Sequence, residues 1–315
     1  GISKSNIEFF NKEIININNI IWKIKKIEVF SENLKDEKLL NFETKDDEIF
    51  FIIKNYKLYE ILKKSLKQTK LFNEIYYKNN FFLHDNYNLI INTDYFNPIT
   101  KKFFYKKIIK KYNSFAYTTL IKHEKINNNI ACQVFTKEGP LAFLPISNTE
   151  TSVVYSIHDK ISKNMENIKD LIPKYNFKYK ISNIGRIDSF ELKSYNLRSY
   201  YYKNILAFGD LLHRIHPLAG QGFNMTLRDI KILLNIINSR IKLGLELDYS
   251  INVEFQNKSR HKNFIFSSGI DIVHEFFNLE RKIENEFLSK SVQFFGRNPF
   301  LNKMLIKMAD KGISF

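Results

Sequence analysis

The residues of this 315-residue chain whose types and spacing could do chemistry together lie between positions 209 and 229. They run Gly209-Asp210, His213, His216-Pro217, Gly220-Gln221-Gly222, Asn224 and Asp229. Two chemistries compete. Asp210, His213 and His216 have the short spacings of a metal site. Gly220 and Gly222 instead let backbone approach a ligand closely, and a helix that starts there aims N–H groups and partial positive charge at it. No acidic or His-rich partner segment accompanies the histidines, and a metal leaves the glycines unexplained. The expectation is therefore a ligand loop and no metal.

The elements around the loop agree. Ile205 to Phe208 is a short apolar run without alternation, which reads as a strand buried on both faces. Gly209-Asp210 ends it. Beyond the loop, Leu227, Ile230, Leu233, Leu234, Ile237 and Ile241 recur at the spacing of a helix with one buried face. Asn224 is the expected N-cap, with Asp229 in the first turn, where negative charge suits the helix dipole.

In this order the residues resemble the second flavin-binding motif of the class A flavoprotein monooxygenases, and within them the ubiquinone-biosynthesis FAD-dependent hydroxylase family. Leu211-Leu212 stand where that family usually has two alanines, and Thr226 where it usually has glycine. The resemblance implies that Asp210 hydrogen-bonds the ribityl chain of FAD. It also implies that Pro217, Gly220, Gln221, Gly222, Phe223 and Asn224 lie against the pyrimidine edge of the isoalloxazine. A second stretch, Asn88 to Asp94, is similar to the family's Ala-Asp-Gly segment near the cofactor, with Tyr95 replacing the glycine. Asp94 is carried over on that basis, and a turn-forming Asp after a strand is the equal alternative. Lys54 or Lys57 stands where the family has a basic residue touching FAD, although surface lysine is the simpler account.

The implied fold is mixed α/β, a Rossmann-like three-layer FAD domain interleaved with a mixed β-sheet substrate domain and followed by C-terminal helices. The expected FAD parts are 1–20, 56–98 and 193–245, with substrate parts 21–55 and 99–192 and helices over 246–315. The implied activity is aromatic-ring hydroxylation of a polyprenylated phenol by FAD and O2, with NAD(P)H or a ferredoxin-type protein as electron donor. Partners in a ubiquinone-biosynthesis complex and a cytoplasmic place at the inner-membrane surface go with it. No catalytic acid–base residue is named, because in such enzymes the cofactor carries the hard chemistry.

No GxGxxG occurs in the sequence, and its first residue is Gly1 rather than Met. The family begins with a strand–GxGxxG–helix unit that cradles the FAD pyrophosphate, so the chain reads as a fragment lacking it. The competing account is a hydroxylase-like but non-catalytic or truncated member of a lipid-biosynthesis assembly.

Hydrophobic residues make up 44% of the chain, and no apolar run reaches the length of a membrane span. The net charge is +16. Its lysines are dispersed among glutamates and no nucleic-acid motif is present, so nucleic acid is not an expected partner. Cys132, the single cysteine, excludes internal disulfides.

Elsewhere, the opening GISKSNIEFFNKE reads as helix, residues around Ile24 to Val29 and from Glu48 as strands, and Tyr56 to Leu66 as helix. The charged stretch between those strands reads as turns. Lys101 to Lys111 is basic with interleaved aromatics, and a helix or turn with a solvated lysine face is expected. Ser114 to Ile157 carries β-branched and aromatic residues broken by Gly139-Pro140 and Asn148-Thr149-Glu150, hence antiparallel strands. Lys160 to Tyr175 reads as helix, Phe190 to Leu192 as a strand, and Asp271 to Lys290 and Phe300 to Gly312 as helices. The helices are expected to turn apolar faces to the core. Peripheral membrane contact through phenylalanines and lysines is the alternative.

Overall fold

A computed structural model describes residues 1–34, 37–44, 48–75, 87–158, 166–283 and 286–312. The first half contains β1 (Ile2–Ser3), α1 (Lys4–Phe9), β2 (Ile21–Ile24), β3 (Lys26–Ser31), β4 (Lys38–Glu43), β5 (Phe50–Ile53), α2 (Asn55–Gln68), β6 (Ile90–Asn92), α3 (Pro98–Phe103) and β7 (Lys107–His123). There follow β8 (Ile130–Phe135), β9 (Pro140–Pro145), β10 (Glu150–His158), α4 (Glu166–Lys174), β11 (Ile181–Ile184), β12 (Asp188–Leu197), β13 (Tyr201–Tyr202), β14 (Ile205–Ala207) and β15 (His213–Arg214). Four helices close the chain: α5 (Gln221–Lys242), α6 (Ser250–Ile283), α7 (Glu286–Gly296) and α8 (Pro299–Lys311). The fold is mixed α/β, as expected.

Two compact units interleave along the chain. The first takes residues 1–59, 111–192 and 272–311, and the second 60–110, 193–271 and the C-terminal end. The chain therefore changes unit at 59/60, 110/111, 192/193, 271/272 and 311/312.

In the first unit, strands β7-β10-β9-β8-β3-β4 pair in that order, and β11 also pairs β7. All these pairings are antiparallel except β3 with β8. Along β9 buried and part-exposed residues alternate strictly, the period-2 pattern of a strand with one face on the core. The buried face supplies Leu141, Phe143, Val153 and Tyr155 to a core that α4 covers with Ile168 and Ile172. A smaller sheet, β1-β5-β2, lies in the same unit. Strand β4 was not expected, since its Leu39-Leu40 sit in a charged, turn-like stretch; pairing with β3 extends it. The opening helix is shorter than read and passes into a π-helical turn at Phe10–Ile14. The expected helix from Lys160 lies partly outside the described residues and is seen as α4.

In the second unit, β14 lies parallel to β6 and antiparallel to β13. All of Ile205 to Phe208 is buried, against Leu233 and Ile236 of α5 and Ile251 and Phe255 of α6. Each such aliphatic or aromatic side chain taken fully from water is worth roughly 1.5–3 kcal/mol, which fixes the strand against the helices. Lys101 to Lys111 divides between the end of α3 and the start of β7. Strand continuation past Lys107 is the correction to the helix-or-turn expectation.

Candidate functional site

Asp210 leaves the carboxyl end of β14 in a one-turn 3-10 helix, Gly209–Leu211. Its side chain is exposed and has no hydrogen-bond or ionic partner among the described residues. Its backbone carbonyl accepts a short hydrogen bond from the Tyr195 hydroxyl. Tyr195 is buried, and burial together with the Asp210 charge pushes its phenol up to about 12, so it stays a donor. Asp94 leaves the same end of the neighbouring parallel strand, since Ala207 pairs with Asn92 and the Phe208 N–H donates to the Asn92 carbonyl at 2.9 Å. The end of a parallel pair where ligands bind in open α/β sheets thus carries both expected carboxylates. Asp94 is also the turn-former of the alternative account. Its Oδ1 accepts from the Phe96 N–H at 2.8 Å, and its carbonyl accepts from Thr100 Oγ1 at 2.6 Å.

The glycine loop forms a second 3-10 turn, Leu218–Gly220, preceded by Pro217. Gly220 sits in the left-handed region at φ 61°, where a side chain is strained, and it is the residue that caps α5. Helix α5 therefore starts at Gln221, and Asn224 is not its N-cap. Asn224 is fully buried inside the first turn, and its Nδ2 donates back to the Gly220 carbonyl at 3.1 Å. The error arose because Gly-Gln-Gly reads as loop, whereas only Gly220 needs a non-helical backbone. Gly222 is helical, and a Cβ there would meet nothing nearer than Ile215 Cγ1 at 3.9 Å. Packing within the protein does not demand glycine at this position, although glycine costs a helix about 1 kcal/mol. Gln221 is buried, and its Oε1 has no hydrogen-bond partner among the described residues. Phe223 is 40% exposed.

Asp229 lies two turns into α5, not in the first. It is completely buried, with Oδ2 2.5 Å from His213 Nε2 and Oδ1 accepting from Asn263 Nδ2 of α6 at 3.0 Å. A buried carboxylate persists only when its lone pairs are occupied, and these two partners occupy them. His213 is thus the mate of Asp229. Among the described residues no three His, Cys, Asp or Glu side chains gather as for a metal.

One group escaped the sequence. Lys107 places its ammonium 3.9 Å from the ring centre of Tyr95 and 4.7 Å from that of Tyr195, whose rings are 6.1 Å apart. Two aromatic faces around one cation are a stabilising contact, and this one adjoins the Tyr195 bond to Asp210. The only signal was Tyr95 standing in a glycine's place. Lys54, the loose basic match, pairs with Glu150 at 2.9 Å in the first unit.

Known structures share this fold. The p-nitrophenol 4-monooxygenase PnpA of Pseudomonas putida aligns with a TM-score of 0.74 over 98% of this chain and 88% of that one, at 9% identity. HpxO of Klebsiella pneumoniae, solved with FAD and uric acid, gives 0.72 over 98% and 86%, at 10% identity. PqsL of Pseudomonas aeruginosa, described as a probable FAD-dependent monooxygenase, gives 0.68 over 92% and 88%, at 13% identity. The fold is that of the FAD-dependent monooxygenases.

No family model matches the sequence. Its curated relatives are hydroxylases of ubiquinone biosynthesis, which bears out the resemblance read from the loop. The 3-demethoxyubiquinol 3-hydroxylase of Escherichia coli is 30% identical over 154 residues, 46% of this chain and 39% of that protein. The ubiquinone biosynthesis monooxygenase COQ6 of Schizosaccharomyces pombe is 21% identical over 230 residues, 58% of this chain and 48% of that protein. The chain thus spans less than half the length of these relatives.

Proposed function

We propose that the protein is an FAD-dependent monooxygenase that hydroxylates the aromatic ring of a polyprenylated phenol in ubiquinone biosynthesis. The observation that carries this reading is the strand–loop–helix from Ile205 to Lys242, with its exposed carboxylate at Asp210 and a helix N-terminus opened by Gly220 and Gly222. The residues fit the isoalloxazine end of a flavin. Asp210 supplies an unengaged acceptor for ribityl hydroxyls. The Gln221 side chain, buried and with an unused acceptor, supplies a polar group beside the helix start. Gly222 leaves room that packing does not use.

When bound, FAD supplies O2 activation and oxygen transfer to the ring. The chain's own residues bind and orient. The first N–H groups of α5 favour negative charge at the pyrimidine edge, and Tyr195 holds the Asp210 backbone in place. No side chain is assigned a proton-transfer role. Substrate and O2 are the co-reactants, and NAD(P)H or a ferredoxin-type protein is the donor class. Partner proteins of a biosynthetic complex belong to the same proposal. A second reading is a hydroxylase-like protein without catalysis.

The test is to purify the full-length protein, read flavin absorbance, and follow a polyprenylated phenol by mass for the gain of one oxygen atom. Stoichiometric flavin with oxygenated product is the expected result. A well-folded, colourless protein would point to the second reading.

A further inference from the structure

The C-terminal helix α8 is attached to its unit by its polar residues. Asn302 Nδ2 donates to the Asn41 carbonyl at 2.8 Å and to the Gly296 carbonyl at 3.2 Å. The Asp310 carboxylate accepts from the Ser5 N–H at 2.8 Å, and its carbonyl accepts from Ser3 Oγ at 3.1 Å. None of its residues is buried. Leu301 and Ile306 are half-buried, but most of the apolar surface faces water: Phe300 is 75% exposed, Met304 44%, Leu305 41% and Met308 37%. This is the reverse of the core-facing helix expected from the sequence. An amphipathic helix with low overall hydrophobicity and an outward apolar stripe is built for an interface.

Charge specifies which interface. Lys303, Lys307 and Lys311 recur at i, i+4, i+8 beside the apolar stripe, and with Arg297 they line a cavity of about 1160 Å3 between β4 and helices α7 and α8. The acids of that cavity are already engaged: Glu37 by Gln293 at 3.0 Å, Glu43 by Lys26 at 3.1 Å, and Asp310 by Ser5. Arg297 and the three lysines are exposed and have no acidic partner among the described residues. Four cations without an ion-pair partner among the described residues, set against two hydrogen-bonded acids and beside exposed Phe, Met and Leu, match a surface of phosphates above acyl chains.

We infer that α8 is the protein's membrane-contact element, lying in the plane of an anionic phospholipid surface with Phe300, Met304 and Met308 inserted and phosphates seated along Arg297, Lys303, Lys307 and Lys311. This holds whether or not flavin is bound, and it needs no helix able to span a bilayer; none of the described helices is long and apolar enough to do so.

The experiment is co-sedimentation of full-length protein with phosphatidylcholine vesicles, with and without added phosphatidylglycerol. Expected is at least tenfold stronger partitioning onto the anionic vesicles, weakened by salt. Lys303→Gln/Lys307→Gln/Lys311→Gln should reduce it by about a hundredfold, at an energy of about 1 kcal/mol per lysine. Phe300→Ser/Met304→Ser should reduce it as well, with the melting temperature unchanged because both residues are exposed. Equal binding to the two vesicles, or variants that bind like the parent, would overturn the inference. So would saturation by free glycerophosphate without vesicle binding, which marks a small-anion site. A melting temperature lowered by Phe300→Ser/Met304→Ser without vesicle binding would mean that protein covers this face, and would equally overturn it.

Discussion

Two carboxylates of one strand–loop–helix unit have opposite environments, and their mutants should differ accordingly. Asp210 is exposed and unengaged, so Asp210→Ala should leave folding intact and weaken FAD binding by about ten- to a hundredfold, the worth of a charge-assisted hydrogen bond. Flavin titration of the full-length protein checks this; parental affinity would remove Asp210 from the site. Asp229 is buried between His213 and Asn263. Asp229→Ala strands both donors and should cost on the order of 3 kcal/mol of stability, visible as a lower urea midpoint. The place of Asp210 at a strand end was legible because strand, acid and glycine loop follow each other in sequence. Asp229 was not: its partners come from β15 and from α6, and no local spacing announces them. The Lys107 contact with Tyr95 and Tyr195 was hidden for the same reason.

Among the elements, helix α5 turns on one backbone angle. Gly220 holds φ 61° at its start, so Gly220→Ala should cost about 1–2 kcal/mol, and flavin affinity should fall with it. The second element-scale prediction concerns acid. Burial alone would raise the Glu138 carboxyl, but hydrogen bonds from Tyr175, its own backbone and Thr136, with the Lys174 charge, outweigh it and hold it below the usual range. Tyr175 Oη donates to Glu138 Oε2 at 2.8 Å and so ties α4 to the β8–β9 turn. A carboxyl whose folded pKa is lowered adds stability above its unfolded pKa of about 4.3 and loses it as pH falls through the lower folded value. Tyr175→Phe should therefore destabilise the protein at neutral pH and flatten its loss of stability below about pH 4.5. Denaturation midpoints measured across that range decide it. β-Branched and aromatic content between turn signals exposed β7 to β10 to sequence reading, whereas β4 needed its partner β3 to be seen. The core-facing expectation for α8 failed because periodicity reports that a helix has an apolar face, not what that face meets.

On the scale of the whole molecule, the proposed site would meet only the isoalloxazine end of a flavin. The chain contains no GxGxxG to hold the ADP half. The 315-residue chain should accordingly bind FMN and FAD with affinities within about threefold of each other, and calorimetry with both ligands tests it. A strong preference for FAD would reveal a site for the ADP half that no motif announces. The interleaving of the two units has a consequence for synthesis. One unit is not finished until residues 272–311 arrive, whereas the described residues of the other, Gly312 apart, are made by Asp271. At roughly 5–20 residues per second, the ribosome supplies that last segment some seconds later. The strands of the unfinished unit wait with the face that α7 packs on β4 still bare, and this interval is when a chaperone has most to shield.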